Sequence, residues 1–223
     1  MLYSLIIKLE GPMQSWGTEA NFDVRPTEQF PTKSGVVGLI AAALGRSRMD
    51  SVDDLAALKM TVRIDQQGKV ERDFQTARIH DVKKNGCISD EIKSRVIYRY
   101  YLADAKFTVA LESSDLSFLK MIQTALRHPK FSLYLGRRSY PVMGRLVYDI
   151  EQGSGEEVLC QNVKNPVLIT EGGNSGFVRR IRDVPDSYNP FYRHYRHRYF
   201  QQKSYPMHDV YGAVDAAEET EEG

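Results

Sequence analysis

The stretch Phe30-Pro31-Thr32-Lys33-Ser34-Gly35-Val36-Val37-Gly38-Leu39-Ile40-Ala41-Ala42-Ala43-Leu44-Gly45 carries both the start and the stop signal of one short apolar helix. Thr32, after Pro31, is placed to accept a hydrogen bond from an orphan N–H of the first turn. Gly45 suits the left-handed position that closes a helix. The body between them is apolar, so it needs a surface to pack on. The first turn combines Lys33, Ser34 and Gly35: free N–H groups, a cation and a residue without side-chain bulk, a ready phosphate site. Without such a ligand, the same residues are a well-capped helix with a solvated lysine. Upstream lies Gly11-Pro12-Met13-Gln14-Ser15-Trp16-Gly17, with the chain's single tryptophan. Trp16 reads either as a core anchor or as part of a shaped, exposed loop, and Gly11, Pro12, Gln14 and Gly17 favour the loop.

The helix needs a sheet, and the rest of the chain supplies one. Leu2–Leu9 reads as a strand, largely buried. Ser51–Leu58 reads as a second short helix capped by Ser51. Thr61–Asp65 reads as a strand, with Gln66-Gln67-Gly68 as a turn and Lys69–Thr76 as its hairpin partner. From Ala77 to Arg99 no apolar period holds, while Arg78, Lys83, Lys84, Lys93, Arg95 and Arg99 recur; this predicts an excursion from the sheet, a protruding hairpin returning through Val96–Leu102. Alternation resumes at Ala105, Phe107, Val109 and Leu111. Asp115 then caps a helix whose apolar residues Leu116, Leu119, Ile122, Ala125 and Leu126 keep helical spacing. A strand over Arg145–Ile150 completes β-α-β-β-α-β, the ferredoxin-like arrangement also used by RNA-recognition modules. The expected fold class is therefore α+β, with a ferredoxin-like domain over 1–152, a thumb hairpin at about 77–101 and a small β-rich part over 153–212. In that last part, Glu157–Val163, Pro166–Thr170 and Phe177–Arg182 read as short strands.

Charge becomes informative once the tail is set aside. The net charge is +1, but residues 215–223 hold five carboxylates and no cation. Removing those five negative charges leaves +6 on the body, a bias compatible with nucleic acid. The segment 213–223 reads as a disordered acidic tail. Cys87 and Cys160 form neither a metal pattern nor a disulfide framework, which points to a reducing compartment. No apolar run approaches the ~18 residues that span a bilayer, and Lys8 and Glu10 interrupt the only apolar stretch near the start. The expectation is a cytoplasmic protein with no membrane contact.

The candidate chemistry is that of binding more than of catalysis. Gly136-Arg137-Arg138-Ser139 sets two adjacent guanidiniums on a glycine-led turn, able to fork around phosphates or simply be solvated. Tyr188–Phe200 alternates rings with cations, the combination used for single-stranded nucleic acid; the same composition also suits a partner-protein surface or a segment packed on the core. His194 and His197 have no cysteine or carboxylate nearby in sequence to complete a metal set. His128, before a proline, reads as a helix C-terminal dipole partner. His80, near Arg78, Lys83 and Lys84, fits RNA binding and equally a metal-free cleavage that deprotonates a 2′-hydroxyl.

Five motifs occur in one order and spacing: GPMQSWG, RPT at Arg25–Thr27, FPTKSGVVGLIAAALG, YRYYLADAKFTVAL at Tyr98–Leu111 and YLGRRSYPV at Tyr134–Val142. Together they resemble the type I-E branch of the fifth Cas protein family (RAMP superfamily), subunits of the Cascade CRISPR surveillance complex. The resemblance covers roughly residues 1–150 well and the remainder loosely. It implies a ferredoxin-like domain with a β-hairpin thumb that grips the 5′ handle of the CRISPR RNA and caps the filament of CasC backbone subunits. It also implies docking of the large subunit CasA near the DNA target. No cofactor or metal is expected. Carried onto this sequence, the handle cleft would use Gln14, Trp16, Arg25, Lys33, Ser34, Arg137 and Arg138, with Arg78, His80, Arg99 and Tyr101 on and below the thumb. Type I-C relatives cut precursor RNA through a tyrosine, a lysine and a histidine; in type I-E systems a separate nuclease, CasE, makes that cut. The alternative to a binding subunit is therefore a metal-independent endoribonuclease. No adjacent Lys-His pair precedes the second long helix, which argues against it.

Overall fold

In the computed structural model, residues 1–18, 23–82, 88–172 and 177–205 are described. The expected acidic tail, His208, Cys87, Lys83 and Lys84 lie outside them.

Four strands and two helices form the base of the fold. The strands are β1 (Tyr3–Glu10), β4 (Lys59–Gln66), β7 (Lys106–Ser113) and β8 (Val147–Gln152). The helices are α1 (Lys33–Leu44), between β1 and β4, and α3 (Leu116–Arg127), between β7 and β8. The strands run in the order β4-β7-β1-β8, each pair antiparallel. β7 shows why this sheet is central. Phe107, Val109 and Leu111 alternate into the large core with α1 and α3 residues, while Ala110 points the other way, against Leu159 and Leu168. Both edges of β7 are paired as well, one with β1 and the other with β4.

The long helices begin and end where the sequence predicts. Thr32 accepts a hydrogen bond from Gly35 N–H at 3.3 Å, and Gly45 closes α1 at φ +77°. Asp115 accepts from Phe118 N–H at 3.0 Å to start α3. α1 lacks a polar face because the sheet is not its only neighbour: α3, the short helix α2 (Asp53–Ala56) and the strand over Val178–Ser187 also pack on it. The N-cap position of α2 is Val52 and not the expected Ser51, whose hydroxyl accepts from Asp53 N–H at 3.2 Å from one residue further out.

Two expectations are corrected. First, the strand after the Gln66-Gln67-Gly68 turn does not pair with β4. β5 (Lys69–Val82) instead pairs along its length with β6 (Ile88–Ala103), so the hairpin starts at Lys69, well before Ala77. β4 finds its partners in β7 and β9, which bury its apolar residues better than a charged hairpin strand would. Second, Glu157–Val163 is not a strand. α4 (Gly155–Cys160) begins with a reciprocal cap between Ser154 and Glu157, the signature S-x-x-E. β9 (Val167–Glu171), β10 (Val178–Ser187) and β11 (His194–Ser204) extend the main sheet to β10-β11-β9-β4-β7-β1-β8. A second sheet is built on the hairpin, where β2 (Met13–Gln14) and β3 (Val24–Arg25) flank β6. No helix of the described residues is long and apolar enough to cross a membrane.

Candidate nucleic-acid interface

The register of the β5–β6 hairpin divides its residues into two chemically different faces. Directly opposed residues share a face of a pleated pair. Val70, Arg72, Phe74, Thr76, Arg78 and His80 therefore share one face with Leu102, Tyr100, Tyr98, Val96, Ser94 and Ile92. That face carries exposed Phe74, Ile92, Val96 and Val70. Phe74 and Tyr98 sit with ring centroids 6.3 Å apart, and the Arg72 guanidinium lies 4.9 Å from the Tyr98 ring centre. No carboxylate occupies any of these twelve positions. The opposite face holds Lys69, Glu71, Asp73, Gln75, Arg95 and Arg99. Two of its cations are matched by acids: Lys69 pairs with Glu71 at 3.0 Å, and Arg95 with Asp23. Water does not favour solvent-facing Phe74 at 61% exposure. Aromatic rings, guanidiniums and no acid on one exposed strand pair are what stacked bases and phosphates require.

The base of the hairpin is held rigidly, and residues expected to touch ligand do the holding. Gln14 is fully buried: its amide donates to the carbonyls of Ala105 (2.7 Å) and Leu9 (3.2 Å), and its oxygen accepts from the Trp16 indole at 3.1 Å. Trp16 is 1% exposed and stands in the core. This corrects the exposed-loop reading of both residues. Arg137 donates to the Tyr100 carbonyl at 3.0 Å and to the Tyr140 hydroxyl at 2.9 Å, as a strut beneath β6. Tyr101 packs beside Tyr140, ring centroids 6.0 Å apart. Arg138, on the same turn as Arg137, is exposed and has no partner among the described residues.

The phosphate reading of the α1 start is also corrected. Asp183 already occupies that helix terminus, accepting the Lys33 backbone N–H at 2.8 Å. The Lys33 ammonium is buried and pairs with Glu171 at 2.9 Å, while Arg198 grips Asp183 at 2.7 and 2.9 Å. Buried Asp183 and half-buried Glu171 satisfy the two buried bases, and the positive end of the helix is taken by a carboxylate of the chain itself. Gly35 is small for a different reason than expected: a Cβ there would lie 2.7 Å from the Trp16 ring. Ser34 is covered by Tyr188, whose hydroxyl donates to the Ser34 carbonyl; burial pushes that phenol well above its ordinary pKa.

The remaining expected residues gather near the hairpin. Arg25 on β3 is exposed and stands beside Arg99 in the parallel register of β3 and β6. Arg99 Nε is buried without a hydrogen-bond partner among the described residues. Arg78 and His80 are exposed further out, on the aromatic face. Sequence reading missed Arg72, Phe74, Tyr98 and Val96 as a group. The signal was the alternation of Lys69–Thr76 against Val96–Leu102, hidden while the former was paired with Thr61–Asp65. Among the described residues no three His, Cys, Asp or Glu side chains gather to hold a metal.

Comparison with known proteins follows this geometry. The sequence profile of the CRISPR-associated protein family (Cas_Cas5) matches residues 4–203, nearly the whole chain. The chain belongs to this Cas5 family. It is similar to the CRISPR system Cascade subunit CasD of Escherichia coli (strain K12), 36% identical over 172 residues, covering 71% of this chain and 75% of that protein. Its fold matches a chain of a CRISPR RNA-guided surveillance complex with a TM-score of 0.77 at 30% identity, covering 90% of this chain and 89% of that one. A crystal structure of a Cas protein matches with a TM-score of 0.70 at 34% identity, covering 91% and 95%. As in those Cas5 structures, the fold is mixed α+β with mostly antiparallel sheets.

Proposed function

We propose that this Cas5-family chain is a non-catalytic subunit of a type I-E CRISPR Cascade surveillance complex, and that it holds the 5′ handle of the CRISPR RNA on its β5–β6 hairpin. The observation that carries the reading is the acid-free, ring-and-guanidinium face of that hairpin, exposed in a chain 36% identical to a Cascade subunit. Arg72, Phe74, Tyr98, Arg78 and His80 supply stacking and charge. Arg25, Arg99 and Arg138 supply phosphate contacts at the hairpin's foot, and Arg137 and Tyr101 hold that foot in shape. Phosphate contacts set the strand's position, while splayed bases stack on the rings. In the order β4-β7-β1-β8, closed by α1 and α3, we read the ferredoxin-like arrangement of RNA-recognition domains. Residues 1–152 then form the RNA-binding unit, and the C-terminal strands lengthen its sheet. In the assembled complex this subunit caps the CasC filament and helps dock CasA beside the target DNA. No step of this role needs a metal or cofactor.

The binding reading and a cutting one separate in a single assay. The purified full chain is incubated with end-labelled repeat RNA in chelator, without divalent metal. RNA that is retained by the protein and stays intact is the expected result. Specific cleavage that disappears in His80→Ala would replace the binding subunit with an endoribonuclease.

A further inference from the structure

The Tyr188–Phe200 segment, unassigned by the reading above, forms the turn and much of the second strand of an outer hairpin whose exposed face differs sharply from its buried one. β10 and β11 pair so that Val178, Arg180 and Arg182 oppose Gln201, Tyr199 and His197. The alternate pairs turn inward, where Ile181, Arg198 and Phe200 are buried. The outward set contains no carboxylate. The acids of this hairpin are already used: Asp183 is buried against Arg198 and the α1 terminus, and Asp186 binds Arg196 at 3.0 Å and His194 at 3.1 Å. Arg180 is exposed and has no partner among the described residues. Arg182 spends only its Nε, donated to the Tyr195 carbonyl at 3.1 Å, so its two terminal nitrogens are uncommitted. Tyr199 stands 58% exposed directly opposite Arg180.

Arg180 and Arg182 border a cleft of about 400 Å³. Arg180, Ile181, Arg182 and His197 form one side, and Thr18 and Glu28 the other. Glu28 is the one acid on its described walls, and its carboxylate accepts from the Thr18 hydroxyl at 3.1 Å. The same loop continues from Glu28 back to Arg25 on β3, beside the foot of the β5–β6 hairpin. One wall of the cleft is thus joined by a few residues of chain to the surface proposed to hold RNA.

We propose that the outer face of β10–β11 is a second single-stranded RNA contact, continuing the track from the β5–β6 hairpin; it rests on the reading that the chain holds RNA. Arg180 and Arg182 fork onto consecutive phosphates, and Tyr199 offers its ring to a base. Forked guanidiniums suit the planar approach to phosphate oxygens better than ammonium groups would.

The test is a salt titration of the full chain with fluorescein-labelled single-stranded repeat RNA, read by anisotropy. Variants are R180E/R182E, R180E alone, R180K/R182K and the thumb variant R72E/R78E. Two lost contacts lower the slope of log K against log salt by at least ~1.4, because each single-strand phosphate contact contributes about 0.7. R180E, whose side chain supports no other group, lowers it by about half as much, and R180K/R182K keeps the wild-type slope. Weakening by R180E/R182E alone supports this surface even if R72E/R78E has no effect, an outcome that would count against the thumb instead. The inference is overturned if R72E/R78E weakens binding while R180E/R182E changes neither affinity nor slope. It is equally overturned if R180E/R182E leaves RNA binding intact but abolishes assembly with other subunits, since the face then belongs to a protein contact. A wild-type chain that binds no RNA removes both readings.

Discussion

A single methyl group at Gly35 separates two accounts of the same helix turn. If the turn were an anion site, Gly35→Ala would weaken ligand binding with little effect on folding. The Trp16 ring, 2.7 Å from the position of the new carbon, predicts the reverse. Overpacking costs ~1–3 kcal/mol, more than the ~0.5–1 kcal/mol that alanine gains in helix propensity. Urea denaturation is therefore expected to give a lower midpoint for Gly35→Ala, with RNA affinity unchanged. The residues around this turn also mark how far sequence alone reaches. Thr32 and Gly45 were legible as caps because capping is local, set by neighbours within four positions. Asp183 was not, because it arrives from 150 residues away to take the amide of Lys33. A free helix terminus and a satisfied one have identical local sequences.

At the scale of elements, the β5–β6 hairpin combines an exposed, acid-free face with a firmly fixed foot. The central strands and long helices were readable from alternation and caps, and the hairpin was readable as an excursion because it lacks a core period. Its partner was not readable, since β4 and β6 both offered acceptable alternation to β5 and only three-dimensional burial chose between them. The C-terminal strands were hardest: Arg198 in β11 looks like a solvent residue in any periodicity and is buried only because Asp183 and Glu171 meet it. Arg137 is the element's main side-chain strut. Arg137→Ala removes the bond to the Tyr100 carbonyl and the cation over the Tyr140 ring. Local opening free energies follow such supports. Hydrogen exchange is expected to accelerate at β6 amides near Tyr100 while β1 and β7 amides stay as protected as in the wild type.

Across the whole molecule, one seven-stranded sheet joins the N-terminal core to the C-terminal strands, and the Lys33–Glu171–Arg198–Asp183 cluster ties them to α1. Removing one member of a buried ion group leaves its partners uncompensated, at about 3–5 kcal/mol. Asp183→Ala is expected to lower stability by that amount within a single calorimetric transition; two separated transitions would indicate an independent C-terminal domain. The surface of this continuous body then decides function. Its acid-free hairpin face and its similarity to a Cascade subunit are what support the proposed RNA-holding role. The most direct test is an anisotropy titration of CRISPR RNA handle against the full chain and its Arg72→Glu/Phe74→Ala variant. Base–aromatic stacking is worth ~1–3 kcal/mol per base, so the variant should bind at least about tenfold more weakly while its melting temperature stays the same. Equal affinity of the two proteins, both folded, would contradict the assignment of the handle to this hairpin.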